Sequence, residues 1–169
     1  MKTICSIRKM QESDIQDLSR GFISQGWPGR EEILTRYFKE QESGEREVLV
    51  AEVEGAVAGY ITILPDAKQG PFAGMAPELS DFNVFEPFQN QGIGNLLLEE
   101  AEKRVRLISD KVTLGVGLHS GYGPAQRLYI KRGYIPDGTG VWYQNHQPAM
   151  NAVCEDIGEL VLYLSKNLF

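Results

Sequence analysis

The sequence predicts one α/β or α+β domain, a sheet covered by helices. Three observations lead there. The chain has 169 residues, 42% of them hydrophobic, which suits a single core spanning residues 1–169. Its apolar residues alternate between period-two runs and period-four runs, so strands and helices are interleaved. Glycine, proline and Asx residues punctuate the joins between those runs.

Taken in order, "TICSIRKM" predicts a short strand, and Ser13 or Asp14 is placed to cap the helix "DIQDLSRGFISQGW". "GREEILTRYFKEQESGE" predicts a second helix with Ile33, Leu34, Tyr37 and Phe38 on one side. "EVLVAEVEGAVAGYITIL" contains two β-rich runs around Glu54-Gly55, the signature of a hairpin. Residues 65–77, "PDAKQGPFAGMAP", carry three prolines and two glycines and predict a loop.

"ELSDFNVF" is the next strand. It leads into a helix whose apolar face is Ile93, Leu97, Ala101, Val105 and Ile108. "KVTLGVGLH" is a strand. Pro124 opens the helix "PAQRLYIKR", and Gly133 sits where a left-handed cap ends it. "YIPDGTGVWYQ", with an Asp137-Gly138 turn near its start, and "ELVLYLSKNLF" are the last strands. The order is β-α-α-β-β-β-α-β-α-β-β.

The formal net charge is −6, with acidic and basic residues mixed along the chain, which argues against nucleic acid as the partner. The first residues lack the apolar run of a signal peptide, and no stretch reaches the roughly 18 apolar residues of a membrane span. Cys5 and Cys154 stand far apart in no metal-like spacing. A cytoplasmic protein with reduced thiols, no metal and no membrane contact is expected.

The junction "EPFQNQGIGN" poses the functional question, because Gly92 and Gly94 stand where a helix begins. Glycine costs about 1 kcal/mol relative to alanine inside a helix. At a helix N-terminus, small residues leave the first N–H groups approachable by an anion. A Rossmann loop needs a third glycine where Leu97 stands, and a P-loop needs a lysine that is absent. A tight strand–helix connection without a ligand is the alternative.

"VFEPFQNQGIG" resembles the acyl-CoA-binding motif of the GCN5-related N-acetyltransferase (GNAT) family, Gln/Arg-x-x-Gly-x-Gly/Ala, through Gln89, Gly92 and Gly94. "YGPAQRLYIKRGYIP" resembles the family's second motif, Asn-x-x-Ala-x-x-Leu-Tyr-x-x-x-Gly-Phe/Tyr, through Ala125, Leu128, Tyr129, Gly133 and Tyr134. The family's asparagine is replaced by Tyr122. The two motifs and the element order cover nearly the whole chain. They imply a central mixed, mostly antiparallel sheet of six to seven strands flanked by about four helices.

The resemblance implies acetyl-CoA as cosubstrate and no metal. The backbone of Gln89, Asn90, Gln91, Gly92, Ile93, Gly94 and Asn95 would hold the pyrophosphate, and Val84 and Phe85 would pair with the pantetheine arm. Tyr122, Ala125 and Tyr129 would line the coenzyme at the second motif. Tyr129 occupies the position of the tyrosine that protonates the leaving thiolate, although a tyrosine packed at a helix–sheet interface would read the same.

Candidate bases are Glu78, six residues before Val84 where the histone-acetylating branch has its glutamate, and His119; Asp81 is a weaker one, turned to the opposite face from Glu78 by strand alternation. Ordered water is an alternative to any of them. Ser120 beside His119 does not make a nucleophile elbow, since Leu118 and Tyr122 replace the needed glycines.

The acceptor, a small-molecule or peptide amine, is expected near Phe22, Trp27 and Tyr143, with Trp142 and His146 beside the last. These aromatics could equally cover the core. No cysteine falls in a motif position suited to a covalent intermediate, so direct transfer is expected. The alternatives are a non-catalytic acyl-CoA-binding or regulatory domain, or an acyltransferase using a longer acyl-CoA. Homodimers are frequent among proteins the chain resembles.

Overall fold

The computed structural model describes residues 4–169. Seven strands and four helices alternate along it, in the order predicted. They are β1 (Cys5–Lys9), α1 (Asp14–Ser24), α2 (Glu31–Ser43), β2 (Glu47–Val53), β3 (Ala56–Leu64), β4 (Glu78–Val84), α3 (Ile93–Arg106), β5 (Lys111–Gly117), α4 (Gly123–Lys131), β6 (Ile135–Tyr143) and β7 (Leu160–Asn167). The strands form a seven-stranded sheet. The residues cluster into two compact units, one reaching to Leu64 and including Leu79–Arg104, the other made of Pro65–Glu78 and Val105–Phe169.

In the first unit β1, β2 and β3 pair antiparallel, and β2 and β3 are joined at Glu54-Gly55, both with positive φ (50° and 85°). That is the backbone a two-residue hairpin turn demands. The core gathers Met10, Leu18, Phe22, Leu34, Tyr37, Val48, Val50, Tyr60 and Phe85, with Ile33 and Phe38 partly buried against it. Gly59 is obligatory on β3, because a Cβ there would lie 2.2 Å from the Asn83 carbonyl oxygen.

Two local expectations differ from what forms. Ser13 is helical in backbone and makes no side-chain cap. Asp14, 2% exposed, organises that corner instead: it accepts the Gln11 N–H (2.7 Å) and a two-pronged contact from Arg8 (2.7 and 2.9 Å). On α3, Ile93, Leu97, Ala101 and Val105 are buried as the spacing predicts, but Ile108 is exposed. The helix ends at Arg106, and the N–H groups of Ile108 and Ser109 both turn back to the Val105 carbonyl, so the helical period no longer applies to Ile108.

In the second unit β7 lies between β5 and β6, antiparallel to both. The Asp137-Gly138 turn expected near the start of this strand is an irregularity within β6. The register shifts between Pro136 and Val141, where Gly138 and Gly140 have φ of 91° and 78°. Gly133 closes α4 with φ 95°, its N–H donating to the Ile130 carbonyl. No helix among the described residues is long and apolar enough to cross a membrane. Among the same residues, no group of three or more His, Cys, Asp or Glu side chains could hold a metal ion.

Candidate active site

The glycine loop belongs to the first unit. Strand β4 ends at Val84, a 3-10 turn covers Glu86–Phe88, and α3 begins at Ile93. Gln89 reverses to donate its side-chain amide to the Val84 carbonyl (2.9 Å), and Gln91 does the same to Pro87 (3.0 Å). Asn90 and Gly92 take left-handed backbone, φ 59° and 82°. Nothing lies within 4 Å of where a Gly92 Cβ would stand, so the space beside it at the start of α3 is open. The N–H groups of Ile93 and Gly94, in the first turn, have no acceptor inside the helix. These amides, with open space beside Gly92, could hold an anion such as a pyrophosphate.

Phe85 departs from its expected role. Its N–H donates to the Ala58 carbonyl (2.9 Å) and its ring is 4% exposed, so the residue offers a ligand no amide. Phe22 is likewise a core ring, set edge-on against Tyr60 and Phe85 at 6.2 and 5.2 Å between centroids, and cannot be an acceptor wall. Trp27, within the α1–α2 connection, is 63% exposed and does not cover the core.

The same unit contains a polar knot that the sequence did not announce. Asp81 sits in β4 with φ 50°, which interrupts the regular alternation of side chains. Its carboxylate accepts from five directions: twice from Arg30 (3.0 and 2.8 Å), and from Tyr37 (2.9 Å), Tyr60 (2.9 Å) and Asn83 (2.8 Å). Arg30 also meets the Tyr60 hydroxyl and lies 5.0 Å from the Phe22 ring centroid. Burial, reinforced by Asp81, pushes the Tyr60 and Tyr37 phenols well above their usual range. A carboxylate so fully engaged has no lone pair left for a substrate proton.

The second motif lies in the second unit. Tyr129 is buried on α4, edge-on to Tyr134 at 5.9 Å, and burial raises its pKa well above 10, so the phenol stays protonated and can donate. Ala125 is half-buried one turn earlier. Gln126, which motif reading passed over, donates to the Gly117 carbonyl (2.8 Å) and ties α4 to the end of β5. Tyr122 lies across Gly117, where a Cβ would come within 2.5 Å of its ring. Its hydroxyl reaches Gly158, 3.2 Å from where that residue's Cβ would stand.

His119 is exposed and its Nδ1 accepts the Gly121 N–H at 2.9 Å. That bond assigns the neutral ring's proton to Nε2 and leaves no free lone pair to collect another. Glu78 is half-buried at the start of β4, close enough to Tyr163 to add to the burial that raises that phenol's pKa.

Trp142 and Tyr163 meet edge-on at 5.8 Å in a cavity of about 410 Å³ that Gln69, Gln144, Asn145 and Glu159 also line. Tyr143 stands next to it in β6, bridged to His146 through their backbones.

The sequence model of the acetyltransferase (GNAT) domain matches residues 44–136, more than half of the chain. The chain belongs to the GNAT acetyltransferase family. Among solved structures, a GNAT-family protein from Desulfovibrio desulfuricans is similar with a TM-score of 0.74 at 17% identity, over 98% of this chain and 100% of that one. A protein from Salmonella typhimurium, solved with its cofactor acetyl-CoA, gives 0.69 at 19% identity over 98% and 94%. A ribosomal-protein-alanine N-acetyltransferase from Brucella melitensis gives 0.70 at 24% identity over 96% and 99%. At these identities the likeness is one of GNAT fold. No curated protein matches the chain.

Proposed function

We propose that this GNAT chain is an acetyl-CoA-dependent N-acetyltransferase that moves the acetyl group directly to a primary amine. The observation that carries the reading is Gly92, a left-handed glycine with open space beside it at the N-terminus of α3. Backbone N–H groups from Asn90 to Asn95 would take the pyrophosphate, the dipole of α3 adding to their attraction. Val84 would meet the pantetheine arm through its backbone, sharing its carbonyl with Gln89.

When bound, acetyl-CoA supplies the activated acyl carbon. Glu78 takes a proton from the acceptor's ammonium, which frees the lone pair. The amine nitrogen bonds to that carbon, gives up its surplus proton to solvent, and the carbon–sulfur bond breaks. Tyr129 gives its phenolic proton to the departing thiolate and regains one from solvent. The buried phenol is protonated at neutral pH, so its proton is present when the thiolate forms. The acceptor is a small molecule or a peptide; the Brucella melitensis neighbour's name supplies the peptide case.

The experiment measures acetyl-CoA binding by calorimetry and thiol release across a panel of amines, for wild type and Gly92→Glu. The wild type binds the coenzyme and releases thiol with at least one amine. Gly92→Glu, at a cost of about 1–2 kcal/mol for a left-handed non-glycine residue, stays folded by circular dichroism and weakens coenzyme binding at least a hundredfold. Normal binding by the mutant would falsify the cradle. Coenzyme binding without thiol release from any amine would favour the binding-domain alternative.

A further inference from the structure

The acceptor's chemistry is legible in the cavity on β6 and β7, if the chain is the transferase just proposed. We infer that this cavity selects a small diamine: one amine to be acetylated, a second positive charge a few bonds away, and no carboxylate or phosphate.

The cavity is of small-molecule size, about 410 Å³, within the roughly 300–1,000 Å³ typical of ligand sites. Its walls are fixed. The Trp142 indole N–H donates to Thr139 Oγ1 (2.8 Å), and Thr139 is bonded in turn to Asp137 (2.8 Å). With its one polar atom engaged, the indole can offer a ligand only its ring. Tyr163 stands edge-on to it, the two planes at 83°. Gly70 presses so close to Tyr163 that a Cβ would lie 2.4 Å from the ring, and its N–H is held by Asn145 Oδ1 at 2.7 Å. The 65–77 loop is thereby pinned to the end of β6.

Charge decides which ligand fits. No Lys, Arg or His is among the residues lining the cavity, whereas Glu159 is, and Glu78 is close enough to Tyr163 to act on it electrostatically. An acceptor bearing a carboxylate or phosphate would find no counter-charge. An ammonium finds the Glu159 carboxylate, which accepts the Gln144 side-chain amide at 3.2 Å, together with two aromatic rings and the polar side chains of Gln69 and Gln144. The net charge of −6 favours a cation before contact as well.

Tyr122 contributes through the wall. Its hydroxyl abuts Gly158, which lines the cavity, so the residue that replaces the motif's asparagine also shapes the acceptor's space.

The chain has two tryptophans. Trp27→Phe removes the exposed one and leaves Trp142 to report alone. Its fluorescence is titrated with 1,4-diaminobutane, 1-aminobutane and 4-aminobutanoate, with and without coenzyme A. The diamine is expected to give a saturable change at a concentration at least tenfold below either comparator. Glu159→Gln, at an exposed position, should bring the diamine within about threefold of the monoamine.

Equal or tighter binding of 4-aminobutanoate overturns the inference. So does the absence of saturable binding by any amine under either condition. Tighter binding of a lysyl peptide than of the diamine overturns the small-molecule part. Diamine binding in a protein that fails to bind acetyl-CoA leaves the cavity's selectivity standing and removes the transferase reading instead.

Discussion

Strand β4 carries two carboxylates three residues apart, and their surroundings could hardly differ more. Asp81 is held by Arg30, Tyr37, Tyr60 and Asn83, at distances between 2.8 and 3.0 Å. Glu78 is half-buried and close enough to Tyr163 to add to the burial that raises that phenol's pKa. Saturated donors make the first an architectural fixture, since its lone pairs are all engaged. The second is the base proposed above. Identical functional groups on one strand thus meet different neighbours: a guanidinium, two phenols and an amide around Asp81, and the Tyr163 phenol near Glu78.

The largest expected effect comes from breaking the architectural side. Asp81→Ala strands the Arg30 guanidinium, whose side chain is only 23% exposed, together with two buried hydroxyls. Removing one partner of such a pair costs about 3 kcal/mol. Urea unfolding should show a midpoint shift of that size without a change of slope. Asp81→Asn should recover only part of it, because its amide hydrogens face donors. A loss below about 1 kcal/mol would mean the knot contributes little.

Alkaline titration probes the same knot by another route. The phenols of Tyr37 and Tyr60 ionise later in the folded chain than in the unfolded one. Their contribution is therefore complete below about pH 10, the ordinary tyrosine value, and declines as pH rises toward the folded values. Tyr60→Phe should flatten that decline.

On the chemical side, Tyr129→Phe removes the proposed acid while preserving the ring that packs on Tyr134. A positioned proton donor contributes about 10²–10⁴-fold, so kcat should fall by about a hundredfold with coenzyme binding within twofold of wild type. Unchanged kcat would reduce Tyr129 to a packing residue. Glu78→Gln should be milder, about tenfold in kcat/KM near neutral pH, and the deficit should shrink at high pH as amine deprotonates unaided. A deficit independent of pH would mean the carboxylate only positions the acceptor.

The parts of this molecule that were legible in sequence are those written locally. Gly92, Gly94 and Gly133 announce a strand–helix junction and a helix end because backbone conformation is dictated within a few residues. The order of seven strands and four helices followed from period and punctuation in the same way. The Asp81 knot could not be read, since its donors come from positions 30, 37, 60 and 83 and meet only after folding. Alternation also misleads there, as φ 50° at Asp81 breaks the period that placed its side chain. Phe22 was expected at the acceptor site from its neighbourhood in sequence, but an aromatic on α1 points where the helix stripe points, into the core.

The smallest effect is expected at the residue that sequence made look most chemical. His119 follows strand β5 and has the one side chain whose ordinary pKa lies near neutrality. Its Nδ1 accepts the Gly121 N–H at 2.9 Å, closing the turn that leads into α4. A neutral ring in that bond presents an N–H at Nε2, so serving as a base would require breaking the turn. His119→Asn should keep kcat within about twofold of wild type across pH 6 to 9, because an asparagine oxygen can accept the same N–H. His119→Ala should lower stability by about 0.5–1 kcal/mol through the lost cap while leaving the pH–rate profile unmoved. Disappearance of an acid limb from that profile in either variant would return His119 to the chemistry and reverse the contrast with Glu78.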